Sequence, residues 1–458
     1  MADLHIQINR DAGGIAGQIA AELREGVRLG RLVPGTRLPA TRDLAADLQV
    51  SRGVVVEAYE QLVAEGFLVS RVGAGTEVAP LGAVRSARPW PVADGGACGP
   101  YQGHRATSPD LGHFPRERWS AAVRHVLATV PSDALDYGDP GGVPELREEL
   151  AGYLRRVRAA DVHPDNLVVV GGVAQGLSLA LHVLARRGGL RLIVEDPTSR
   201  RQVPLLERAG ARLVPVPVGC EGLVTGAMEG EAALVTPAHQ YPTGVVLSPA
   251  RRAALMEWAC AGDRTILEDD YDAEFRYDRD PVGCLQGLAP DRVILTGSVS
   301  KSLAPGLRLG WVAAPAHLAE AIRRARSELD LGSPVIEQYA LAHFLRTGGY
   351  DKHLRRMRRE YRRRRDALVR ALADELPEIR VRGIQAGLHV YLDLPDGWDE
   401  LRVVRAAEEV GLAAEPVAPM RFSPGPPAVV VGFARLPVHQ AAEAVQGLKV
   451  RMSGHIKD

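Results

Sequence analysis

The chain is predicted to be a multidomain protein. An N-terminal winged helix-turn-helix (α+β) is joined by a linker to a larger α/β domain that ends in a small α+β subdomain. Three observations carry this. The first 80 residues show three short amphipathic stretches closed by a glycine-tipped pair of β-rich runs. Residues 81 to 108 are rich in Pro, Gly and Ala without periodicity. Beyond them, helical stretches alternate with short apolar strands.

At 458 residues, two or three domains of the usual size of roughly 150 residues fit. Hydrophobic content of 46% and charged content of 24% suit an ordinary soluble core, and a formal net charge of +0 favours no polyanionic partner by itself. Cys98, Cys220, Cys260 and Cys284 are scattered, without metal-ligand spacing, so no metal site or disulfide framework is expected. No signal peptide and no membrane-length apolar run is visible, and a cytoplasmic protein with no membrane partner is the expectation.

In the first domain, apolar residues at helical spacing run from Ile15 to Leu29 and stop at Gly30, and Pro34-Gly35 is a turn. A second helix spans about 41 to 48, with Thr41 as its N-cap. After a tight turn at Gln49-Val50, Ser51 caps a third helix whose apolar side carries Val54, Val55, Ala58, Tyr59, Leu62 and Val63. Two strands around Gly73 and Gly75 close the module. In such a reader the start of the last helix meets base edges. That places Ser51, Arg52 and Gly53 there, with Arg42 on the preceding helix and Arg37 and Arg71 flanking. The 8 arginines of residues 1–80 are outweighed by 10 acidic residues. DNA affinity would therefore need the arginines gathered on one face. A small helical interaction module is the competing reading of the pattern.

The run Pro34-Gly35-Thr-Arg37-Leu-Pro39-x-Thr-Arg42-x-Leu-Ala, then Val50-Ser51-Arg52, then Ala58-Tyr59-x-x-Leu-x-x-Glu65-Gly66-Phe67 resembles the GntR family of winged-helix regulators. The resemblance implies that Arg42 and Arg52 contact a double-stranded DNA operator and that a wing at Gly73 and Gly75 nears the minor groove.

In the large domain, strands are expected at Leu167–Val170, Leu190–Val194, Leu213–Val218, Ala233–Thr236, Thr265–Leu267 and Val293–Thr296. They would form a mostly parallel sheet. A small subdomain is entered near residue 340, with short segments after about 380.

Lys301 is the sharpest chemical signal. It stands among small residues, with Ser298 before it and Arg308 after it. Such a lysine can form a Schiff base with an aldehyde cofactor whose phosphate Ser298 and Arg308 hold. A surface lysine is the bland alternative. Five segments in order resemble the fold-type-I aminotransferases: Tyr137-Gly-Asp-Pro-Gly-Gly142; Gly171-Gly172-Val173-Ala174-Gln175; His239-Gln-Tyr241-Pro-Thr-Gly244; Glu268-Asp269-Asp270-Tyr271-Asp-Ala-Glu-Phe275; and the Lys301 run. The resemblance implies pyridoxal 5'-phosphate as cofactor. Its phosphate would lie on the amides of Val173 and Ala174, at the positive end of a helix. Asp269 would pair the pyridine nitrogen, Tyr271 the ring hydroxyl, and Tyr241 would stand at the family's asparagine position. Tyr137 would reach the phosphate of a partner subunit, implying a homodimer.

Two departures stand out. No aromatic occurs near Ser199 to stack on the ring, and Val430 occupies the place of the arginine that clamps a substrate carboxylate. Arg201 and Arg421 are the candidate substitutes, and Arg201 matches an effector-contacting arginine in some relatives. The arginine-rich stretch from His353 to Arg365 reads as a solvated helix or as a second DNA contact.

Together the two halves resemble the MocR subfamily of GntR-type regulators. That resemblance implies a head-to-tail dimer whose large domain senses pyridoxal phosphate or a small amine or amino acid. A working aminotransferase with a fused DNA module, and a scaffold that has lost its cofactor, are the competing readings.

Overall fold

The computed structural model describes residues 6–71, 75–80, 105–185, 189–278, 282–383 and 385–453. Gly73 and most of the expected linker, residues 81–104, lie outside them. The chain divides into two compact units, residues 1–102 and 103–458.

The first unit holds α1 (Ile15–Arg28), α2 (Thr41–Asp47), α3 (Arg52–Ala64), β1 (Leu68–Arg71) and β2 (Gly75–Val78), the two strands pairing antiparallel. Its core is the apolar stripe read from periodicity: Ile19 and Leu23 of α1, Leu44 of α2, and Val55, Ala58, Tyr59 and Leu62 of α3. The Tyr59 hydroxyl donates to the Pro39 carbonyl at 3.0 Å, tying α3 to the turn before α2. One expectation shifts: Ala40 is the N-cap of α2, and Thr41 is its first helical residue.

The second unit is built on an eight-stranded sheet. Its strands are β3 (Leu167–Val170), β4 (Leu190–Asp196), β5 (Ala211–Gly219), β6 (Gly222–Leu223), β7 (Ala232–Val235), β8 (Thr265–Asp270), β9 (Val293–Ser298) and β10 (Gly310–Ala313). The spatial order is β3-β10-β9-β8-β7-β4-β5-β6. The inner strands β5, β4, β7, β8 and β9 are parallel, as their continuous apolar runs imply. β10 was not expected. It follows the Lys301 loop directly and runs antiparallel between β3 and β9. Gly297 and Gly310 make room for it: a side chain at Gly297 would strike the Trp311 ring, and one at Gly310 would strike the Gly297 carbonyl and the Gly172 backbone.

Among the described residues, ten α-helices flank and extend the sheet: α4 (Arg116–Thr129), α5 (Pro144–Arg158), α6 (Val173–Ala185), α7 (Val203–Arg208), α8 (Pro249–Ala261), α9 (Ala316–Asp330), α10 (Val335–Arg346), α11 (Gly349–Glu375), α12 (Glu400–Glu409) and α13 (Ala441–Ser453). A second, antiparallel sheet has the order β11 (Arg380–Arg382), β12 (His389–Asp393), β14 (Ala428–Gly432), β13 (Ala413–Pro416). α12 and α13 accompany it.

The basic run in α11 divides by face. Arg364 and Arg365 are buried, Arg364 bonding Asp110 and the Ala434 carbonyl, while Arg355, Arg356, Arg359, Arg362 and Arg363 are exposed. His353 is buried and bonds the Ser302 carbonyl at 2.7 Å, and burial pushes its pKa down to about 4. The start of α11 therefore buttresses the loop that carries Lys301.

Residues 105–108, read as the end of the linker, are a strap laid on the second unit. Its Ala106 amide donates to Glu415 Oε1 at 3.1 Å, and the Ala106 carbonyl lies where a Cβ on Gly432 would be. Just beyond the strap, the Asp110 amide donates to the Tyr361 hydroxyl at 2.9 Å. Local composition signalled a linker there, and tertiary bonds decided otherwise.

Strand β8 is held by a buried ion pair. Arg158, at the end of α5, grips both oxygens of Asp270 at 2.7 and 2.9 Å and also bonds the Val282 carbonyl. Arg158 is 1% exposed and the Asp270 side chain 8%. Arg158→Met should leave a buried carboxylate unpaired and cost about 3 to 5 kcal/mol. Thermal unfolding checks this, and an unchanged midpoint would refute it.

Candidate cofactor and DNA sites

Period-two alternation along β8 sorts three consecutive carboxylates. Glu268 and Asp270 point one way. Glu268 accepts the amides of Leu285 and Gln286 at 3.0 Å, and Asp270 takes Arg158. Asp269 points the other way, as the only one of the three on the site face. Gln202 Nε2 donates to its Oδ2 at 2.9 Å, while Oδ1 is buried with no partner. Burial raises the Asp269 pKa to about 6 and the Gln202 bond opposes the rise. A buried acceptor left over beside a partnered one calls for a donor, and a protonated pyridine nitrogen is one.

Across the site, α6 starts at Val173, directly after Gly172. Gly172 has φ +105°, and the Arg308 guanidinium lies within 3.1 to 3.4 Å of where its Cβ would be. Any side chain at 172 would fill that space. Ser298, at the end of β9, is buried nearby in sequence to Lys301. The free amides of Val173 and Ala174 at a helix start, with Arg308 against the preceding glycine, form an anion cradle.

Lys301 follows β9 in a loop. Its Nζ donates to the Thr107 carbonyl at 2.9 Å and to Thr107 Oγ1 at 3.1 Å, both on the strap. Burial lowers its pKa to about 8; the carboxylates of Asp272, Asp269 and Glu415 oppose that shift, and Arg105 adds to it. A neutral, nucleophilic amine is thus accessible near neutral pH.

Tyr271 and Tyr241 are brought together edge-to-face with ring centroids 6.1 Å apart. The Tyr271 hydroxyl is 3.1 Å from His239 Nδ1, and His239 Nδ1 is 3.0 Å from Asp272 Oδ2. Burial raises the pKa of both tyrosines well above the usual phenol range, so both stay neutral. His239, Asp272, Gln202, Thr107, Glu415 and His389 were not singled out from sequence. His239 and Asp272 stood inside motifs that resemble the aminotransferases, but Gln202, Thr107, Glu415 and His389 had no local signal.

Of the remaining expected residues, Tyr137 is 84% exposed. Arg201 is exposed at a turn. Arg421 is engaged within the small subdomain: Nη1 donates to the Pro426 carbonyl at 2.6 Å and Nη2 to the Tyr391 hydroxyl at 3.0 Å. Val430 is fully buried in β14, in a cluster with Ala106, Tyr391 and Tyr241. No group of three or more metal-ligating side chains occurs among the described residues, and no helix among them is long and apolar enough to cross a membrane.

In the first unit, Arg37, Arg42, Ser51, Arg52, Gly53 and Arg71 are all exposed. Arg52 Nε lies 3.4 Å from Thr41 Oγ1, so the starts of α2 and α3 meet. Arg37 packs over Gly75, which has φ +92°, and Arg71 is 3.9 Å from Glu77. Glu65 is bound to Arg24 at 2.7 Å, at the opposite end of α3 from Arg52. Ser51 is the N-cap of α3 by position, but its side chain makes no capping bond and is open to another partner.

Two predictions follow from these geometries. The rate of cofactor uptake should rise with pH through an inflection at about 8, where Lys301 loses its proton; stopped-flow absorbance would read it, and an inflection near the ordinary lysine value would contradict the desolvated pocket. Arg52→Ala should weaken operator binding by roughly tenfold or more, as loss of one base or phosphate contact implies. Fluorescence anisotropy with labelled duplex tests it, and unchanged affinity would remove α3 as the reading helix.

Comparison with known proteins agrees with both units. The model of bacterial regulatory proteins of the gntR family matches residues 15–78, and that of aminotransferase class I and II matches residues 108–448. The pyridoxine biosynthesis transcriptional regulator PdxR of Corynebacterium glutamicum is 36% identical, over 86% of each chain. The "probable rhizopine catabolism regulatory protein MocR" of Rhizobium meliloti is 32% identical over 94% of this chain and 92% of its own. Among solved structures, an archaeal alanine:glyoxylate aminotransferase superposes with a TM-score of 0.70 at 28% identity, covering 77% of this chain and 90% of that one. With a gntR-type reader, an aminotransferase-fold domain and near full-length regulatory relatives, the chain belongs to the MocR subfamily of GntR-type transcriptional regulators.

Proposed function

We propose that this regulator binds pyridoxal 5'-phosphate at Lys301 and uses the aminotransferase-like domain to sense, with the cofactor itself or a small amine as the signal. The observation that carries the reading is a set of groups that complement the parts of the cofactor. Asp269 Oδ1 is buried without a partner, Gly172 and Arg308 form an anion cradle, and the Lys301 amine has a pKa of about 8. When bound, the cofactor supplies an aldehyde that condenses with a primary amine and a ring that withdraws electrons.

The chain's own residues do the rest. Asp269 would hold a proton on the ring nitrogen, and Gln202 keeps that carboxylate oriented by bonding its other oxygen. Arg308 and the first amides of α6 would hold the phosphate. Tyr271, neutral and backed by His239 and Asp272, would bond the ring hydroxyl. Sensing is favoured over turnover because Val430, an apolar residue, stands where a bidentate carboxylate clamp would be.

A head-to-tail homodimer is part of the proposal. Tyr137, largely exposed beside a glycine-rich turn, is suited to reach a partner's phosphate site. Signal transfer has a route in the chain itself: Thr107, bonded to Lys301, leads back through residues 81–104 to the reader. A ligand shifts operator binding only as far as it prefers one of two states, about 1.4 kcal/mol per tenfold in affinity ratio.

Titration of pyridoxal phosphate against operator binding tests this. The affinity or footprint of the wild-type protein should change with the cofactor, and Lys301→Ala should not respond. Steady turnover of an amino donor with a keto acid that Lys301→Ala abolishes would instead establish an aminotransferase.

A further inference from the structure

The wall of the Lys301 pocket supplied by the small subdomain has a chemistry of its own. Strand register aligns Tyr391, Val430 and Glu415 in one row across β12, β14 and β13, and His389 lies two residues before Tyr391 on the same face. That face meets the cofactor site, because Val430 and Tyr391 pack with Ala106 and Tyr241. His389 is 5.4 Å from the Tyr241 ring and 5.1 Å from the His239 ring, centroid to centroid.

The groups on this wall accept hydrogen bonds. His389 is 3% exposed; its Nε2 lies 3.2 Å from the Pro242 carbonyl, and its Nδ1 is buried with no partner. Burial, with the charges of His239 and Lys301, holds it far below the usual imidazole range, so it is neutral and Nδ1 is a lone-pair acceptor. Glu415 is half-buried and takes the Ala106 amide on Oε1. The next residue, Thr107, binds Lys301, so the carboxylate and the lysine amine bond adjacent strap residues. Arg421, the guanidinium of this region, is occupied by Tyr391 and Pro426. Arg105 has its own partner and Arg201 is exposed at a turn, while the charges of both, together with that of Glu415, act on Tyr241.

We infer that the pocket admits a primary amine whose far end is a second hydrogen-bond donor, a short diamine, in preference to an amino acid of the same length, with Glu415 and His389 as the specificity-determining residues. The inference rests on Lys301 holding pyridoxal phosphate. The near amine is directed to the cofactor side, and the far ammonium to the carboxylate of Glu415 and the lone pair of His389. A carboxylate at the far end would meet a like charge and an acceptor, with Val430 in place of a clamp.

The test uses the full chain loaded with pyridoxal phosphate and calorimetric titration with putrescine and with γ-aminobutyrate, which have the same carbon chain and differ at the far end. Putrescine should bind at least about tenfold more tightly. Glu415→Gln keeps an acceptor for the Ala106 amide but removes the charge. It should weaken putrescine by about tenfold and leave γ-aminobutyrate unchanged or tighter. His389→Phe, which keeps a ring and removes the acceptor, should also weaken putrescine selectively. Equal or tighter binding of γ-aminobutyrate, binding of neither ligand, or indifference of the selectivity to Glu415→Gln would overturn the inference. Visible absorbance before each titration separates the two levels. A wild-type protein that takes up no cofactor sinks the sensor reading itself, whereas loading without diamine preference sinks only the selectivity.

Discussion

Taking an ammonium out of water is costly, and the large domain is arranged around that cost at Lys301. The amine sits at the end of β9 in a loop of small residues, where burial alone would strip its proton. Three carboxylates counter this, Asp272 first, then Asp269 and Glu415, and the amine's protons are given two acceptors on Thr107. The balance leaves a lysine poised between ammonium and amine. Moving any of these groups far would tip it toward an ordinary surface lysine or an inert buried one. The parallel core supplies the rigidity: β8 and β9 are neighbours with matched register, so Asp269 and Lys301 are held by one sheet.

Much of this was legible in sequence because it is encoded locally. The winged module follows from helical spacing and glycine turns, and its core residues are those the spacing selects. The parallel strands announce themselves as short apolar runs, although several strands extend beyond those runs: β8 continues through Glu268, Asp269 and Asp270, whose charges mask a strand. Those carboxylates are tolerated because each has a job in a bond or a site. β10 escaped because Gly310-Trp311-Val312-Ala313 is only four residues long and runs antiparallel to β9 and to β3, the latter distant in sequence.

What stayed hidden is what long-range contacts decide. Thr107 and Lys301 are separated by 194 positions, and Ala106 and Glu415 by 309. No composition rule marks residues 105–108 of a Pro- and Gly-rich stretch as a strap. The same holds for Gln202 against Asp269 and for His239 with Asp272, where the side chains matter only once strand and loop are juxtaposed. Arg421 shows the converse: an arginine at a plausible place in sequence is bonded to its own subdomain's backbone and to Tyr391.

The strap changes what a ligand at this site can do. A free lysine ammonium has three protons to donate, and two of its bonds go to Thr107. An amine whose nitrogen is engaged elsewhere has fewer, so any ligand that occupies the Lys301 nitrogen competes with the strap for it. Glu415 and Gly432 hold the adjacent Ala106 from the other side, through an amide bond and a close approach that only glycine allows. The strap is therefore pinned at two adjacent residues, Thr107 by the Lys301 amine and Ala106 by Glu415 and Gly432. Chain connectivity puts Ala106, not Thr107, on the side of the DNA reader, so the contacts of Ala106 with Glu415 and Gly432 lie between the lysine's bond and the chain that leads to the reader. Under the proposed function, a domain with the architecture of an enzyme would report on its pocket without completing a reaction, through competition for one nitrogen passed along Thr107 and Ala106.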